Sequence, residues 1–187
     1  MPPSSLGAVL LGGLLFATPA LAVTATEFDA RLTQAEVEAA QQAWGEALVQ
    51  IATRYEEEGL EAAREFAGEV LDAAYGYDLG PVLFKPTLAG APHNFRTTRD
   101  GALAYFVGHD AAYPDDAGFA LKPWRSVEID NAAITISGDM AITQGSVRMT
   151  DSSGAETVVD KSWAFQRDAQ GDLRIVLHHS SLPYPGE

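Results

Sequence analysis

Apolar side chains recur every three or four positions in the first half of the chain, the spacing of helices that bury one face. Thr33 and Glu36 stand three residues apart in the pattern of a capping box, which predicts that a helix begins here. This helix should run to about Glu58, with Gly59 as the residue that ends it. A second amphipathic stretch, residues 60–75, predicts a second helix.

The middle of the chain is less regular. Residues 81–87 are bounded by prolines, which favours a short strand or an ordered loop, because proline biases the residue before it away from helix. Thr98 is a suitable N-cap for a third, shorter helix that ends near Val107. The acidic pair Asp115 and Asp116 falls in the loop that follows and is expected to be solvated surface.

From residue 122 onward, the helical spacing gives way to the alternation of strands with one buried face. Turn signals divide this region into four strands: residues 124–137, 140–150, 157–166 and 174–181. Helices followed by antiparallel strands predict the α+β class, with the N-terminal helices packed on one face of a curved sheet. Such a sheet leaves a concave cavity, which is a usual place for a small ligand.

The last predicted strand changes from β-branched apolar residues to two imidazoles and two hydroxyls. Alternation places His178 and Ser180 on one face with Val176, and His179 and Ser181 on the other. This change suggests that the inner face of the sheet becomes a polar pocket at one end. Alternatively, the same side chains could satisfy backbone groups where the strand ends.

Composition narrows the classes of partner. The 187 residues are 47% hydrophobic and 20% charged, as in one ordinary globular domain, which we expect to span residues 23–187. The 26 acidic and 12 basic residues give a net charge of −14, which disfavours nucleic acids and anionic membrane surfaces as partners. The absence of cysteine excludes disulfides and thiolate chemistry.

Residues 1–22 have the pattern of a secretory signal peptide. The apolar core at residues 6–16 is too short for a stable membrane anchor, and residues 20–22 form a small-x-small cleavage site. This predicts a periplasmic or secreted protein. No lysine or arginine precedes the apolar core, so an uncleaved anchor is the alternative.

Two familiar kinds of catalytic site find little support. His178 and His179 are neighbours on a strand and cannot both face one metal without a bulge, so no metal is expected, although distant carboxylates could still assemble a site. There is no Gly-x-Ser-x-Gly elbow for a nucleophilic serine. What remains is a metal-free polar set that could line a cavity between the third helix and the last strand: Thr87, Tyr105, His178 and Ser180.

Several motifs in this chain resemble the iota-class carbonic anhydrases. They are the ending His178–Pro183 and three shorter segments, residues 85–87, 95–98 and 101–106. The resemblance runs from about residue 44 to 183. It implies the cone-shaped fold of nuclear transport factor 2, shared with the SnoaL-like proteins and the association domain of calmodulin-dependent kinase. It also implies reversible hydration of carbon dioxide to bicarbonate without a cofactor and, in some members, without a metal.

Carried over by motif, the resemblance implies that the hydroxyls of Thr87, Tyr105 and Ser180 hold bicarbonate. Our hypothesis is that nearby His178, with an ordinary pKa of roughly 6.5, relays the proton. Further contacts with the substrate are expected from four residues: Phe84, Phe106, Trp124 and Ser181.

Two other interpretations stay open. The chain could be a different enzyme of the same fold, such as an isomerase or cyclase, although no carboxylate is obviously placed deep in a pocket. It could also be a ligand-binding or assembly module without catalysis. Because cone folds use an exposed sheet for dimers, a homodimer or higher homo-oligomer is expected, with Val159, Trp163 and Phe165 as candidate contacts.

Overall fold

The computed structural model describes residues 31–185, so the predicted signal peptide lies outside the described part. No helix within these residues is both long and apolar enough to span a membrane. In chain order the elements are α1 (Gln34–Glu58), α2 (Leu60–Ala74), β1 (Leu83–Lys85), α3 (Arg99–Val107), a short 3-10 helix (Phe119–Leu121), β2 (Trp124–Ser137), β3 (Met140–Asp151), β4 (Glu156–Arg167) and β5 (Leu173–Ser181).

The helix ends lie where the sequence predicts them. The Thr33 hydroxyl accepts the backbone amide of Glu36 at 3.3 Å, and the Glu36 carboxylate accepts the amide of Thr33 at 2.8 Å. Gly59 ends α1 with a φ of 91°, a conformation that favours glycine. Thr98 caps α3 by accepting the amide of Gly101. These caps fix the points from which the helices cross the sheet.

The strands form a single sheet in the order β1-β5-β4-β3-β2. Strands β2 to β5 pair as an antiparallel meander, and β1 adds to its edge in parallel with β5. The sequence leaves residues 81–87 open between strand and loop, and Leu83–Lys85 is the strand. The sheet therefore has one strand more than the four predicted, while the α+β class is confirmed.

The helices lie against one face of this sheet, where α1 packs on β2 and on α2, and α2 packs on α3. The side chains of Val159, Trp163 and Phe165 are buried in the core. The expectation that these three residues form part of an exposed face for dimerisation is wrong. Their parity on β4 directs them to the buried side of the sheet.

A β-bulge in β2 lies between Asn131 and Ala133, opposite Gly145 of β3. A Cβ atom at Gly145 would lie 2.1 Å from the carbonyl oxygen of Asp130, so only glycine allows the two backbones to approach this closely. Bulges bend a strand and increase its twist. This bulge therefore contributes to the curvature of the sheet over the helices.

A second irregularity lies in β5. Phe165 pairs with Ile175 and Ala164 with Leu177, so Val176 is the extra residue of a bulge. As a result, Ile175 is buried on the same side as His178. The prediction that Val176 shares the face of His178 is wrong, because strict alternation does not hold across a bulge.

A buried ion pair fixes the segments on both sides of α3. The Arg96 guanidinium donates to both carboxylate oxygens of Asp116, and both side chains are almost completely buried. The amide of Arg96 also donates to the carbonyl of Phe84 in β1, at 2.8 Å. The expectation that Asp116 is solvated surface is wrong, because the fold places a buried cation against it.

Candidate active site

The parallel pairing of β1 with β5 brings two hydroxyls together. Phe84 pairs with His178, so the residues that follow β1 lie beside the end of β5. The Thr87 hydroxyl donates to Oγ of Ser180 at 2.7 Å. Ser180 is buried on the inner face, as the alternation predicts.

Tyr105 reaches the same place from α3. Its ring stacks on Phe119 with centroids 5.6 Å apart and meets Phe84 edge-on at 5.7 Å. Burial raises the pKa of Tyr105 well above 10, while the backbone amides of Leu88 and Thr87 act on its hydroxyl in the opposite direction. The phenol therefore keeps its proton at neutral pH, and its hydroxyl lies close to the segment that carries Thr87.

These groups line a small cavity of about 10 Å³. That volume is about what one water molecule needs. The wall is part polar and part aromatic. Its members come from α1, β1 and the residues after it, α3, the 3-10 helix, β4 and β5: Trp44, Phe84, Pro86, Thr87, Tyr105, Phe106, Phe119, Lys161, His178 and Ser180. The structure thus brings together all four residues of the predicted polar set.

His178 is held on every side. Its ring stacks on Phe84 with centroids 4.5 Å apart, and Nδ1 lies 2.8 Å from the hydroxyl of Tyr75. That hydroxyl accepts the indole N–H of Trp44 at 3.0 Å. Nε2 lies 3.0 Å from Nζ of Lys161. Burial, followed by the nearby Lys161 and His179, lowers the pKa of His178 well below 6.5, so the ring stays neutral at pH 7.

Lys161 is a functional candidate that the sequence analysis missed. Its side chain is only 4% exposed and lies over the ring of Trp44, with Nζ 4.0 Å from the centroid. Burial lowers the pKa of Lys161 to about 7. A signal was present in the sequence, because Lys161 has the same strand parity as Val159 and Trp163, where a core side chain is expected.

Tyr75 and Trp44 were also missed as parts of the site. Trp44 has the helical spacing of a core residue, and its ring is indeed buried in the core. The spacing does not indicate that its indole N–H also donates to Tyr75. Tyr75 follows the last residue of α2 in extended conformation and bridges to Ile175 in β5. Its position depends on this long-range contact, which local sequence does not indicate.

Of the four residues predicted to contact the substrate, two line the cavity and two do not. Phe84 and Phe106 are stacked at 5.7 Å and both line the cavity. Trp124 lies behind Phe119, to whose carbonyl its indole donates, and it does not reach the cavity. The side chain of Ser181 points to the face of β5 opposite to that of Ser180. There it lines a larger groove of about 550 Å³ on the outer face of the sheet, beside His179. The predicted roles of Trp124 and Ser181 in this cavity therefore do not fit the structure.

Within residues 31–185, no three histidine or carboxylate side chains come together in a group that could hold a metal ion. His178 points inward and His179 outward, as expected for neighbours on a strand. The polar side chains that line the cavity supply three hydroxyls, an imidazole and an amine.

Comparisons with known proteins agree with one another. A family model described as metal-independent carbonic anhydrase matches residues 35–182. A metal-independent carbonic anhydrase from Nostoc sp. (strain PCC 7120 / SAG 25.82 / UTEX 2576) is 61% identical over 153 residues, which are 82% of this chain and 75% of the relative.

Solved structures give the same result. The crystal structure of an iota-carbonic anhydrase from a cyanobacterium, complexed with bicarbonate, superimposes with a TM-score of 0.84 at 57% identity, covering 88% of this chain and all of that chain. A Xanthomonas campestris protein described as a calcium/calmodulin-dependent protein kinase II association domain has a TM-score of 0.54 at 20% identity, with 81% and 88% of the two chains covered. At that identity the second likeness shows the fold alone.

Proposed function

The chain belongs to the metal-independent carbonic anhydrase family, and we propose that it hydrates carbon dioxide reversibly to bicarbonate in the cavity between β1, α3 and β5. The observation that carries this assignment is the hydrogen bond between Thr87 and Ser180, in a cavity that the phenol of Tyr105 also lines. Three protonated hydroxyls can each donate to one oxygen and accept from another. Such a set suits a water, a carbon dioxide and the bicarbonate formed from them.

The roles within the cavity follow from its two kinds of wall. Phe84 and Phe106 give carbon dioxide an apolar surface on which nothing competes for hydrogen bonds. The hydroxyls of Thr87, Tyr105 and Ser180 orient the water and stabilise the charge that develops on the carbon dioxide oxygens as the new bond forms. A cavity of about 10 Å³ requires some movement of these side chains when both reactants are present.

The net charge of −14 fits the product as well as the substrate. Carbon dioxide is uncharged and enters independently of the field of the protein. Bicarbonate is an anion, and an acidic protein repels it once it leaves the hydroxyls of the cavity. The field therefore favours product release, although counter-ions screen it beyond about 8 Å at physiological salt.

Stopped-flow measurement of carbon dioxide hydration by chelator-treated protein tests this assignment. Thr87→Ala, Tyr105→Phe and Ser180→Ala should each reduce kcat/KM by about a hundredfold, the usual cost of a lost transition-state donor. Ser181→Ala is the matched control, because this hydroxyl lies on the outer face of β5. Unchanged rates in all three cavity variants would exclude the site, and activity that a chelator abolishes and zinc or manganese restores would favour a metal mechanism.

We propose that the protein is exported, on the basis of the apolar core and small-x-small motif within residues 1–22. Fractionation of the native host should recover the mature chain outside the cytoplasm, with its N-terminus near residue 23. An intact N-terminus on a membrane-associated protein would instead support the uncleaved anchor.

We further propose a homodimer that forms through the outer face of the sheet. Ile142 is 55% exposed there and adjoins the groove that carries His179 and Ser181. Light scattering coupled to size-exclusion chromatography should give twice the mass of the mature chain, and Ile142→Lys should shift it toward the monomer. A monomeric wild-type protein at micromolar concentration would contradict the proposal.

A further inference from the structure

His178 has no ring nitrogen free to meet a substrate. Nδ1 is hydrogen-bonded to the hydroxyl of Tyr75 at 2.8 Å, and Nε2 is hydrogen-bonded to Nζ of Lys161 at 3.0 Å. A group that takes a proton from an attacking water must lie within hydrogen-bond reach of that water. The hypothesis that His178 relays the proton directly therefore loses its geometric basis, and the imidazole acts as a positioning group.

The direction of these hydrogen bonds can be worked out from their donors. The indole of Trp44 can only donate, so the oxygen of Tyr75 is the acceptor between them. Tyr75 keeps its own proton, since burial raises its pKa well above 10. Among residues 31–185, Nδ1 of His178 is the hydrogen-bond acceptor that this hydroxyl reaches. Tyr75 therefore donates to Nδ1, and the ring proton of His178 lies on Nε2, directed at Lys161.

An imidazole N–H directed at a lysine requires an uncharged amine, because an ammonium has three donors and no lone pair. The surroundings agree with this conclusion. In the described part of the chain, no carboxylate lies within ion-pair distance of Nζ of Lys161. The titratable groups that share its cavity are Tyr105 from α3 and His178 from β5, with Tyr75 behind the imidazole. A buried amine without an anionic partner is most stable in its neutral form.

We propose that the amine of Lys161 accepts the proton of the water that attacks carbon dioxide. This inference rests on the function proposed above. The water oxygen forms a bond to the carbon of carbon dioxide, and the electron pair of one carbon–oxygen π bond moves onto the oxygen of that bond. At the same time, one proton of the water passes to the lone pair of Nζ. The cavity then holds bicarbonate and an ammonium ion, and the ammonium returns its proton to solvent after the product leaves.

The site can accommodate this transient ammonium. Accepting the proton requires Nζ to exchange the N–H of His178 for the water, which a rotation about the last side-chain bond allows. The new cation lies over the face of Trp44 at 4.0 Å and near Trp163 at 5.2 Å, where aromatic rings stabilise a positive charge. The bicarbonate beside it supplies an opposite charge. The chain through Tyr75 ends at the indole of Trp44, so it can hold His178 in place but cannot carry a proton away.

The first test is the pH dependence of the chelator-treated wild-type protein in both directions of the reaction. For hydration, kcat/KM should rise with pH through a midpoint near 7, because the amine must be neutral to accept a proton. For bicarbonate dehydration, it should fall with pH through the same midpoint, because the ammonium must donate. Hydration that declines as pH rises through this range would instead show that a lysine cation is needed, and would overturn the proposal.

Two variants separate proton transfer from charge and packing. Lys161→Met keeps an unbranched side chain without an acceptor, and Lys161→Arg keeps a cation that cannot lose its proton. Both should lower hydration by about a hundredfold or more, and the midpoint near 7 should disappear from the residual activity. If either folded variant retains the wild-type rate and pH profile, the proposal is wrong.

Chemical rescue covers the case in which these variants fold poorly. In Lys161→Ala, added trimethylamine, a tertiary amine that cannot form a carbamate with carbon dioxide, should restore the rate in proportion to its unprotonated fraction once the rate of the same solution without protein is subtracted. The circular dichroism spectrum of the same sample checks that the variant is folded. A purely structural lysine would show no such dependence on free amine, and that result would overturn the proposal. A wild-type protein without any activity after chelation would refute the proposed function itself, whereas an active wild type with unaffected Lys161 variants would refute only this inference.

Discussion

The hydroxyls of Thr87 and Ser180 are 2.7 Å apart, although the two residues are separated by 93 positions in the chain. The contact exists because β1 joins the sheet in parallel with β5, so that the chain leaving β1 passes the end of the last strand. The two hydroxyls would not meet without that edge strand. The site therefore depends on the least regular stretch of the chain.

The first prediction concerns the shape and the hydroxyl of Thr87. Thr87→Val keeps the branched side chain but removes the donor to Ser180, so kcat/KM for hydration should fall by about a hundredfold. Thr87→Ser keeps the hydroxyl and should lose much less. Stopped-flow assays of both variants check this, and equal activity in the two would show that the hydroxyl is not needed.

The second prediction concerns stability and pH. The pKa of Lys161 is about 7 in the folded protein and about 10.4 in an unfolded chain, so the unfolded state binds one more proton between these values. The free energy of unfolding should therefore rise with pH over this interval, by up to about 1.4 kcal/mol per pH unit. Urea unfolding of the wild type and of Lys161→Met, carried out from pH 7 to 9, measures how the free energy of unfolding changes with pH. The wild type should gain stability relative to the variant as pH rises, and parallel curves would contradict the prediction.

The third prediction concerns the ion pair beside α3. Asp116→Asn leaves the buried guanidinium of Arg96 without its counter-charge, which should destabilise the fold by about 3–5 kcal/mol. Asp115→Asn is the neighbouring control at an exposed position and should change stability by less than about 0.5 kcal/mol. Chemical denaturation of both variants provides the comparison. A small effect of Asp116→Asn would mean that the buried pair contributes little.

The fourth prediction concerns the close approach of two strands at the β2 bulge. Gly145→Ala would place a methyl group 2.1 Å from the carbonyl oxygen of Asp130, so the strands must separate at a cost of about 1–3 kcal/mol. Gly90→Ala is the control, because a methyl group there meets nothing within 4 Å. Thermal unfolding should show a lower Tm for Gly145→Ala than for the wild type, and an unchanged Tm for Gly90→Ala. Equal values for both variants would mean that the bulge relaxes without cost.

The elements that depend on local pattern could be predicted from the sequence. The capping box at Thr33, the glycine end of α1 and the alternating strands follow from spacings of a few residues, which reflect hydrogen bonding and burial within one element. The same alternation placed His178 and Ser180 on one inner face, because they lie on the same side of the bulge in β5. The sequence analysis also placed Thr87 and Tyr105 in the same polar set, and the resemblance to a family assigned their hydroxyls to bicarbonate, although no spacing connects them.

Only the tertiary structure decided how these groups are partnered and charged. The bulge at Val176 breaks the local alternation. The hydrogen bond between His178 and Lys161 and the burial of Asp116 against Arg96 join residues that are far apart in the chain. Pairing of this kind comes from the packing of whole elements, and a spacing pattern carries no record of it. The state of Lys161 shows the physical reason most directly: lysine is ordinarily charged at neutral pH, and it is the exclusion of water by the packed core that lowers its pKa to about 7 and so populates the neutral amine.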